Sequence, residues 1–138
     1  IAVGLQAQIQ SDSRPPLVAL SHGPRSGLKF LDMPRDALNR MNGYCGSVAF
    51  DGSGRFLAAT SPRGGIAVFW DTQTRTYLSD VMLEDCCGVA PTSDPGTFLL
   101  TAGAGDVVRV VVDAGRPAQA SLLRTANANW DNHLMAVL

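Results

Sequence analysis

The sequence predicts an all-β fold in the form of an incomplete β-propeller, with about two full four-stranded blades and partial blades at both ends. The first reason is an internal repeat, because Cys45-Gly46 recurs as Cys87-Gly88 after 42 residues, and Phe56-Leu57 recurs as Phe98-Leu99 at the same spacing. A period of roughly 40–50 residues is typical of a propeller blade. The second reason is that each repeat divides into four short apolar runs separated by turn residues.

The first complete unit covers residues 44–85. Its four predicted strands are Ser47–Phe50, Phe56–Thr60, Ile66–Trp70 and Tyr77–Leu83. Between the first two strands, Asp51-Gly52-Ser53-Gly54 predicts a hairpin turn, because Asp and Gly readily adopt the positive φ that tight turns need. The second unit covers residues 86–127 and repeats this order, with predicted strands Gly88–Ala90, Thr97–Ala102, Val107–Val112 and Ala120–Arg124.

The two flanks predict parts of further blades. Residues 1–40 are interpreted as a partial blade that lacks its first strand, with the other strands at Ile1–Gln6, Leu17–Leu20 and Leu28–Met33. Residues 128–138 are interpreted as one strand, Trp130–Leu138, that completes another blade. A propeller needs roughly 4–8 blades to close, so we expect more blades upstream and interpret Ile1 as a boundary within a longer protein. A small complete β-sandwich with accidental internal similarity is the alternative.

Composition argues against several classes of function. The 138 residues include 11 basic and 12 acidic side chains, for a formal net charge of −1. The basic residues are scattered and not interleaved with aromatic residues, so we expect no nucleic-acid partner. No apolar run approaches the roughly 18 residues of a membrane helix, so we expect no transmembrane segment here. The sequence lacks a nucleophile elbow, a zinc-protease helix and a phosphate-binding loop. Their absence favours a binding protein over an enzyme, and the enzyme stays open as an alternative.

One face of the predicted propeller collects the unusual residues. Loops between blades and loops between second and third strands share this face, here called the loop face: Asn42–Cys45, Ser61–Gly65, Glu84–Cys87, Gly103–Asp106 and Asn127–His133. Loops on a rigid scaffold often carry function, and the predicted ligand-binding residues are Tyr44, Arg63, Trp130 and Asp131. Arg63 stands before two glycines, where its guanidinium could hold a carboxylate or phosphate. The alternative is that this segment is only a tight loop.

The same face carries the candidate metal ligands Cys45, Cys87 and His133, which suggest iron or copper. The three cysteines also allow other interpretations, because they could be inert buried thiols, or one could pair with a cysteine upstream. Cys45 and Cys87 occupy equivalent positions of adjacent blades, which we expect to be farther apart than the roughly 7 Å limit for a disulfide. No paired C-x-x-C spacing is present. His133 could equally be a hydrogen-bonded structural residue.

Four motifs are distinctive in combination: Asn42–Ser47, Ala59–Gly65, Cys87–Ala90 and Trp130–Leu134. Together they resemble a bacterial family of exported proteins known as domain of unknown function family fifteen-thirteen, and the resemblance covers most of the chain. It implies a seven-bladed WD40-like or quinoprotein-like propeller, with this chain at its C-terminal end. It also implies export to the periplasm, often by a twin-arginine signal, and an association with iron-uptake or haem-containing proteins. It supplies no catalytic residues, and fold alone does not establish cofactor use.

Three functions follow from these interpretations. The leading hypothesis is a periplasmic propeller that binds a ligand or a protein in an iron-uptake or redox system. One alternative is a metal- or redox-dependent enzyme at the channel mouth, built from Cys45, Cys87, Asp131 and His133. The other is a purely structural interaction propeller.

Overall fold

The first sheet is the partial blade at the start of the chain. A computed structural model describes residues 1–8, 14–23 and 25–135. Within them, β1 (Ala2–Gly4), β2 (Val18–Leu20) and β3 (Lys29–Phe30) form an antiparallel sheet in the order β1-β2-β3. All three strands lie inside the runs predicted for them, and each is shorter than its run. Residues 9–13 and 24 of the predicted partial blade lie outside the described residues.

A short helix, α1 (Arg35–Arg40), follows the first sheet. The repeat gave no reason to expect it, because six residues are too few to show a helical pattern of apolar positions. Ala37 of the helix and Met41 just after it are buried in the same core as β2. In the described part of the chain no helix is long and apolar enough to cross a membrane.

The next two sheets are complete four-stranded blades. The second sheet consists of β4 (Ser47–Phe50), β5 (Phe56–Ser61), β6 (Ile66–Asp71) and β7 (Thr76–Met82). The third consists of β8 (Cys86–Pro91), β9 (Thr97–Ala102), β10 (Asp106–Asp113) and β11 (Arg116–Thr125). In each sheet neighbours in sequence are neighbours in space and pair antiparallel. The predicted all-β fold, an incomplete propeller, is confirmed; β11 begins earlier than the predicted strand.

The second sheet has a hydrophobic core on each of its faces. Successive side chains of a strand point to opposite faces. Leu57 and Val68 accordingly lie in a core shared with the first sheet and α1. Ala58 and Phe69 lie in a second core shared with the third sheet. Every residue of β5 and β6 is buried, which is the environment of a blade between two neighbouring blades.

Hydrogen bonds also connect the sheets. The Trp70 indole N–H donates to the Asp32 carbonyl at 2.8 Å, which links the second sheet to the chain after β3. On the other side, the Thr60 hydroxyl donates to the Cys87 carbonyl at 2.7 Å, which links β5 to β8. Buried polar groups need such partners, so these bonds fix how the sheets stack.

The strand predicted at Trp130–Leu138 is not seen in the residues that the structure describes. Residues 130–135 form no strand, and residues 136–138 lie outside the described part of the chain. A strand needs a neighbour whose backbone groups pair with its own, and instead this segment runs across the starts of two blades. A β-carbon added to Gly46 would meet Asn132, and one added to Gly88 would meet Leu134. The two glycines are equivalent in the repeat, and their lack of side chains makes room for the segment.

Candidate functional site

The loop between β5 and β6 is held against the end of α1. The Ser61 hydroxyl donates to the Met41 carbonyl at 2.8 Å. A β-carbon on Gly64 would overlap the Arg40 carbonyl oxygen, so the loop backbone can approach this closely only with glycine there. Gly65 has a φ of +59°, which also favours glycine. The loop is therefore a fixed support that presents Arg63.

Arg63 stacks on Tyr44. The guanidinium carbon lies 4.6 Å from the centre of the Tyr44 ring, which is a cation–π contact. The Tyr44 backbone N–H donates to the Met41 carbonyl at 3.0 Å, and the phenol oxygen accepts a hydrogen bond from the Asn132 side-chain amide at 3.1 Å. Residues from three separate loops therefore hold one another in place.

All four predicted ligand-binding residues line one pocket of about 280 Å³. This cavity, here called the Arg63 pocket, is lined by Tyr44, Pro62, Arg63, Asp85, Cys87, Trp130, Asp131 and Asn132. The shared location of these residues follows from the predicted loop face. Their role in binding stays a prediction.

Three pocket residues were not among the predicted ones: Pro62, Asp85 and Asn132. Asp85, in the loop between β7 and β8, has a φ of 50°. Its carboxylate lies so close to Gly103 that a β-carbon on that glycine would overlap it. A charged residue in a loop between blades was the available signal for Asp85. Asn132 donates to Tyr44, while its carbonyl oxygen is buried with no partner among the described residues; no sequence feature distinguished it from its neighbours.

A larger and more open cavity of about 690 Å³ lies next to the Arg63 pocket. It is lined by residues 62–65 of the loop before β6 and by residues 82–85, where β7 ends and the next loop begins. The two cavities share Pro62, Arg63 and Asp85. These side chains therefore stand at the boundary between a small pocket and an open groove, where a ligand can reach them from either side.

The three predicted metal ligands do not meet. Cys87 lines the Arg63 pocket, whereas Cys45 and His133 line a different cavity of about 200 Å³ together with Gly4 and Gly46. Across residues 1–8, 14–23 and 25–135, no group of three or more His, Cys, Asp or Glu side chains could hold a metal ion. His133 has a φ of 77°, a conformation that few residues other than glycine adopt.

The three cysteines are buried and free. Burial raises the pKa of the Cys45 thiol to about 12, even though a hydrogen bond from the Leu5 backbone offsets part of the increase. Burial, with smaller contributions from Cys87 and Asp85, also raises the pKa of Cys86. The Cys87 thiol donates to the Thr101 carbonyl at 3.3 Å. Because the thiolate is the form that binds metals and attacks electrophiles, the raised pKa values disfavour Cys45 and Cys86 as metal ligands or nucleophiles at neutral pH.

Solved structures with similar folds include hydrazine synthase from Kuenenia stuttgartiensis. It has a TM-score of 0.50 and 15% identity, covering 60% of this chain and 23% of that chain. The WD40 domain of SCAP from fission yeast has a TM-score of 0.45 and 9% identity, covering 63% of this chain and 23% of that chain. The chain thus spans less than a quarter of either protein. At such low identity the likeness to hydrazine synthase concerns the fold alone.

A comparison with curated proteins finds no match. A family model does match, over residues 1–137, and its description is "Protein of unknown function (DUF1513)". The resemblance inferred from the four sequence motifs is thereby confirmed, and the match extends through both blades, the partial blade and the segment that crosses Gly46 and Gly88. The chain belongs to the DUF1513 family.

Proposed function

We propose that this chain is part of a propeller that works as a binding scaffold and takes its ligand or partner protein on the loop face. The observation that supports this proposal is the convergence of Tyr44, Arg63, Trp130 and Asp131 on one pocket. They come from three loops far apart in sequence, and the stacked sheets hold those loops in fixed positions. Such an arrangement is typical of a binding site on a rigid scaffold.

The side chains of the pocket are available to a ligand. Arg63 and Asp131 are exposed, and Trp130 is 39% exposed. Among the described residues, the Arg63 guanidinium makes no hydrogen bond and no ion pair, and its contact with Tyr44 uses only the face of the group. An aromatic ring, a guanidinium and a carboxylate, all accessible, offer a small set of polar contacts next to apolar surface.

We further propose that the protein acts in the periplasm, beside iron-uptake or haem-containing proteins. The support is the resemblance to an exported bacterial family, stated above from the motifs at Asn42–Ser47 and Trp130–Leu134. A fold that presents loops on one rigid face suits the recognition of another protein as well as of a small molecule.

One co-isolation experiment tests the proposal. Tagged full-length protein is recovered from the osmotic-shock fraction under native conditions, and bound molecules and proteins are identified by mass spectrometry, with absorbance near the haem Soret band as a second readout. The wild type should retain a bound partner, and its recovery should be at least tenfold lower with Arg63→Ala. Arg116→Ala, a change of an exposed arginine on β11, is the matched control and should retain it. Equal recovery from all three proteins, or protein found only in the cytoplasm, would contradict the proposal.

A further inference from the structure

We infer that the Arg63 pocket takes a small zwitterion, that is, a molecule carrying both a carboxylate and an ammonium group. The inference rests on the proposed function, since it names the ligand class of the same pocket. Three formally charged side chains line that pocket: Arg63, Asp85 and Asp131. Their arrangement decides between a simple anion, a simple cation and a ligand with both charges.

The carboxylate end is set by Arg63. A guanidinium carries five N–H donors in its plane, in a fork that matches two carboxylate oxygens. Stacking on Tyr44 at 4.6 Å covers one face of the group and leaves the N–H groups in the plane uncovered. The loop that carries Arg63 is fixed by the close approach of Gly64 to Arg40. The arginine is therefore held in orientation before any ligand arrives, which reduces the entropy lost on binding.

The ammonium end is set by Trp130 and Asp131. Trp130 is 39% exposed, and its ring is available to a cation because the cation–π contacts of the described residues use Phe56 and Tyr44 instead. An aromatic face beside a carboxylate is the combination that recognises ammonium and quaternary ammonium groups. Asp85 adds a second carboxylate to the same pocket.

Charge balance disfavours the simpler ligands. One guanidinium and two carboxylates give the pocket a formal charge of −1, so an anion bound at Arg63 would also meet the two aspartates. A simple cation would leave the donors of Arg63 unused. Within the described residues neither aspartate forms an ion pair with Arg63, although all three side chains line a cavity of only about 280 Å³. The opposite charges therefore face a shared cavity without contacting one another, and a zwitterion satisfies both.

Isothermal titration calorimetry with the full-length protein tests the inference. The probes are two zwitterions with different charge separations, each compared with its two halves. Glycine betaine is matched with acetate and tetramethylammonium, and γ-aminobutyrate is matched with butyrate and butylammonium. At least one zwitterion should bind ten times or more as tightly as either of its halves. The inference is overturned if neither zwitterion binds more tightly than the tighter-binding of its two halves.

Two variants assign each end of the ligand. Arg63→Gln should reduce the preference of the zwitterion over its ammonium half to less than twofold. Asp131→Asn should likewise remove its preference over the carboxylate half. Both residues are exposed, so the fold should persist, and far-ultraviolet circular dichroism checks it; Arg116→Ala is the control. Unchanged preferences in both variants also overturn the inference. If the zwitterions fail while co-isolation still depends on Arg63, the loop face binds a different class of ligand and only this inference falls.

Discussion

Asp51 shows how much one side chain can organise. It lies in the hairpin turn after β4 and is only 4% exposed. One carboxylate oxygen accepts a hydrogen bond from the Phe56 N–H at 2.8 Å, across its own turn. The other accepts from the Ser53 hydroxyl at 2.6 Å and from the Gly96 N–H, in the next blade, at 2.8 Å. The same carboxylate therefore closes one hairpin and connects two sheets.

These hydrogen bonds decide the ionisation of Asp51. Burial raises the pKa of the carboxyl, but hydrogen bonds from Ser53, Gly96 and Phe56 together outweigh burial, and the net pKa lies below its ordinary value. A carboxyl whose pKa is depressed in the folded state adds stability at pH values above its unfolded pKa of about 3.9. That contribution is lost as the pH falls through the lower, folded value.

We therefore expect Asp51→Ala to lower the free energy of unfolding at pH 7 by about 3 kcal/mol, because it leaves buried N–H groups without an acceptor. The difference from the wild type should shrink as the pH falls from about 4 through the lower folded pKa, because the unfolded carboxyl takes up its proton before the folded one does. Urea denaturation across this pH range measures both effects. Asp113→Ala is the control, because this exposed turn aspartate accepts only from Gly115 among the residues that the structure describes. A difference that does not change with pH would contradict the assignment.

At the scale of elements, the contact between α1 and the loop before β6 places the site. The helix ends at Arg40, and the loop packs against the backbone of Arg40 and Met41 through Gly64. This contact also positions Tyr44, whose N–H bonds to the Met41 carbonyl. The ring and the guanidinium that stack on each other thus share one structural support.

Gly64→Ala should break that support. The new β-carbon would overlap the Arg40 carbonyl oxygen, and since backbone cannot shift as easily as a flexible side chain, the loop must move. We expect a loss of about 1–3 kcal/mol in the free energy of unfolding, as for other overpacked sites. Thermal unfolding measures the loss. The matched change Gly115→Ala, at a glycine with no atom near the added carbon, should stay within about 0.5 kcal/mol. Equal stability of the two variants would show that the contact is not tight.

The repeat predicts the strands of the two complete blades well, but it does not predict the segments that depart from the repeat. Turn residues such as Asp51 and Gly54 punctuate the repeat, so strands fell within a few residues of their predicted positions. The helix at Arg35–Arg40 escaped prediction because its stability comes from burying Ala37 and Met41 rather than from a periodic pattern. The apolar run that begins at Trp130 cannot indicate whether a pairing partner is present, and residues 130–135 form no strand in this structure.

The candidate site was predictable only in part. Propeller topology brings the loops of Arg63 and Trp130 to one face regardless of which side chains they carry. The structure places both residues in one pocket. The proposed metal set depended on distances between side chains, which no repeat pattern encodes. Cys45 and Cys87 are equivalent in the repeat, yet they face different cavities.

At the scale of the whole molecule, the second sheet supports both of its neighbours. Phe69 of this sheet and Phe98 of the third sheet have ring centres 5.7 Å apart in the shared core. Trp70, the next residue along β6, lies in the other core. Consecutive side chains therefore belong to different interfaces, and truncating one side chain removes packing from one of the two cores only.

Phe69→Ala should weaken the junction between the second and third sheets. Removing a fully buried phenylalanine costs about 3–5 kcal/mol. In hydrogen exchange of the full-length protein, protection should fall in β8–β11 more than in β1–β3, because the first core keeps Trp70. Leu123→Ala, which truncates a side chain that is 55% exposed on β11, should leave exchange almost unchanged. An equal loss of protection in all three sheets would show that the two cores respond as one.

The assignment of alternate side chains of β5 and β6 to two cores also affects the order of events during protein synthesis. Domains assemble from the N-terminal side as the chain leaves the ribosome. The first core can close once Trp70 has emerged, because its other members all precede that residue, apart from Tyr77 at its edge. Phe69 must wait until Phe98 and Val110 have been made. During that interval one face of the nascent sheet is apolar and uncovered, and it offers a chaperone a well-defined binding surface.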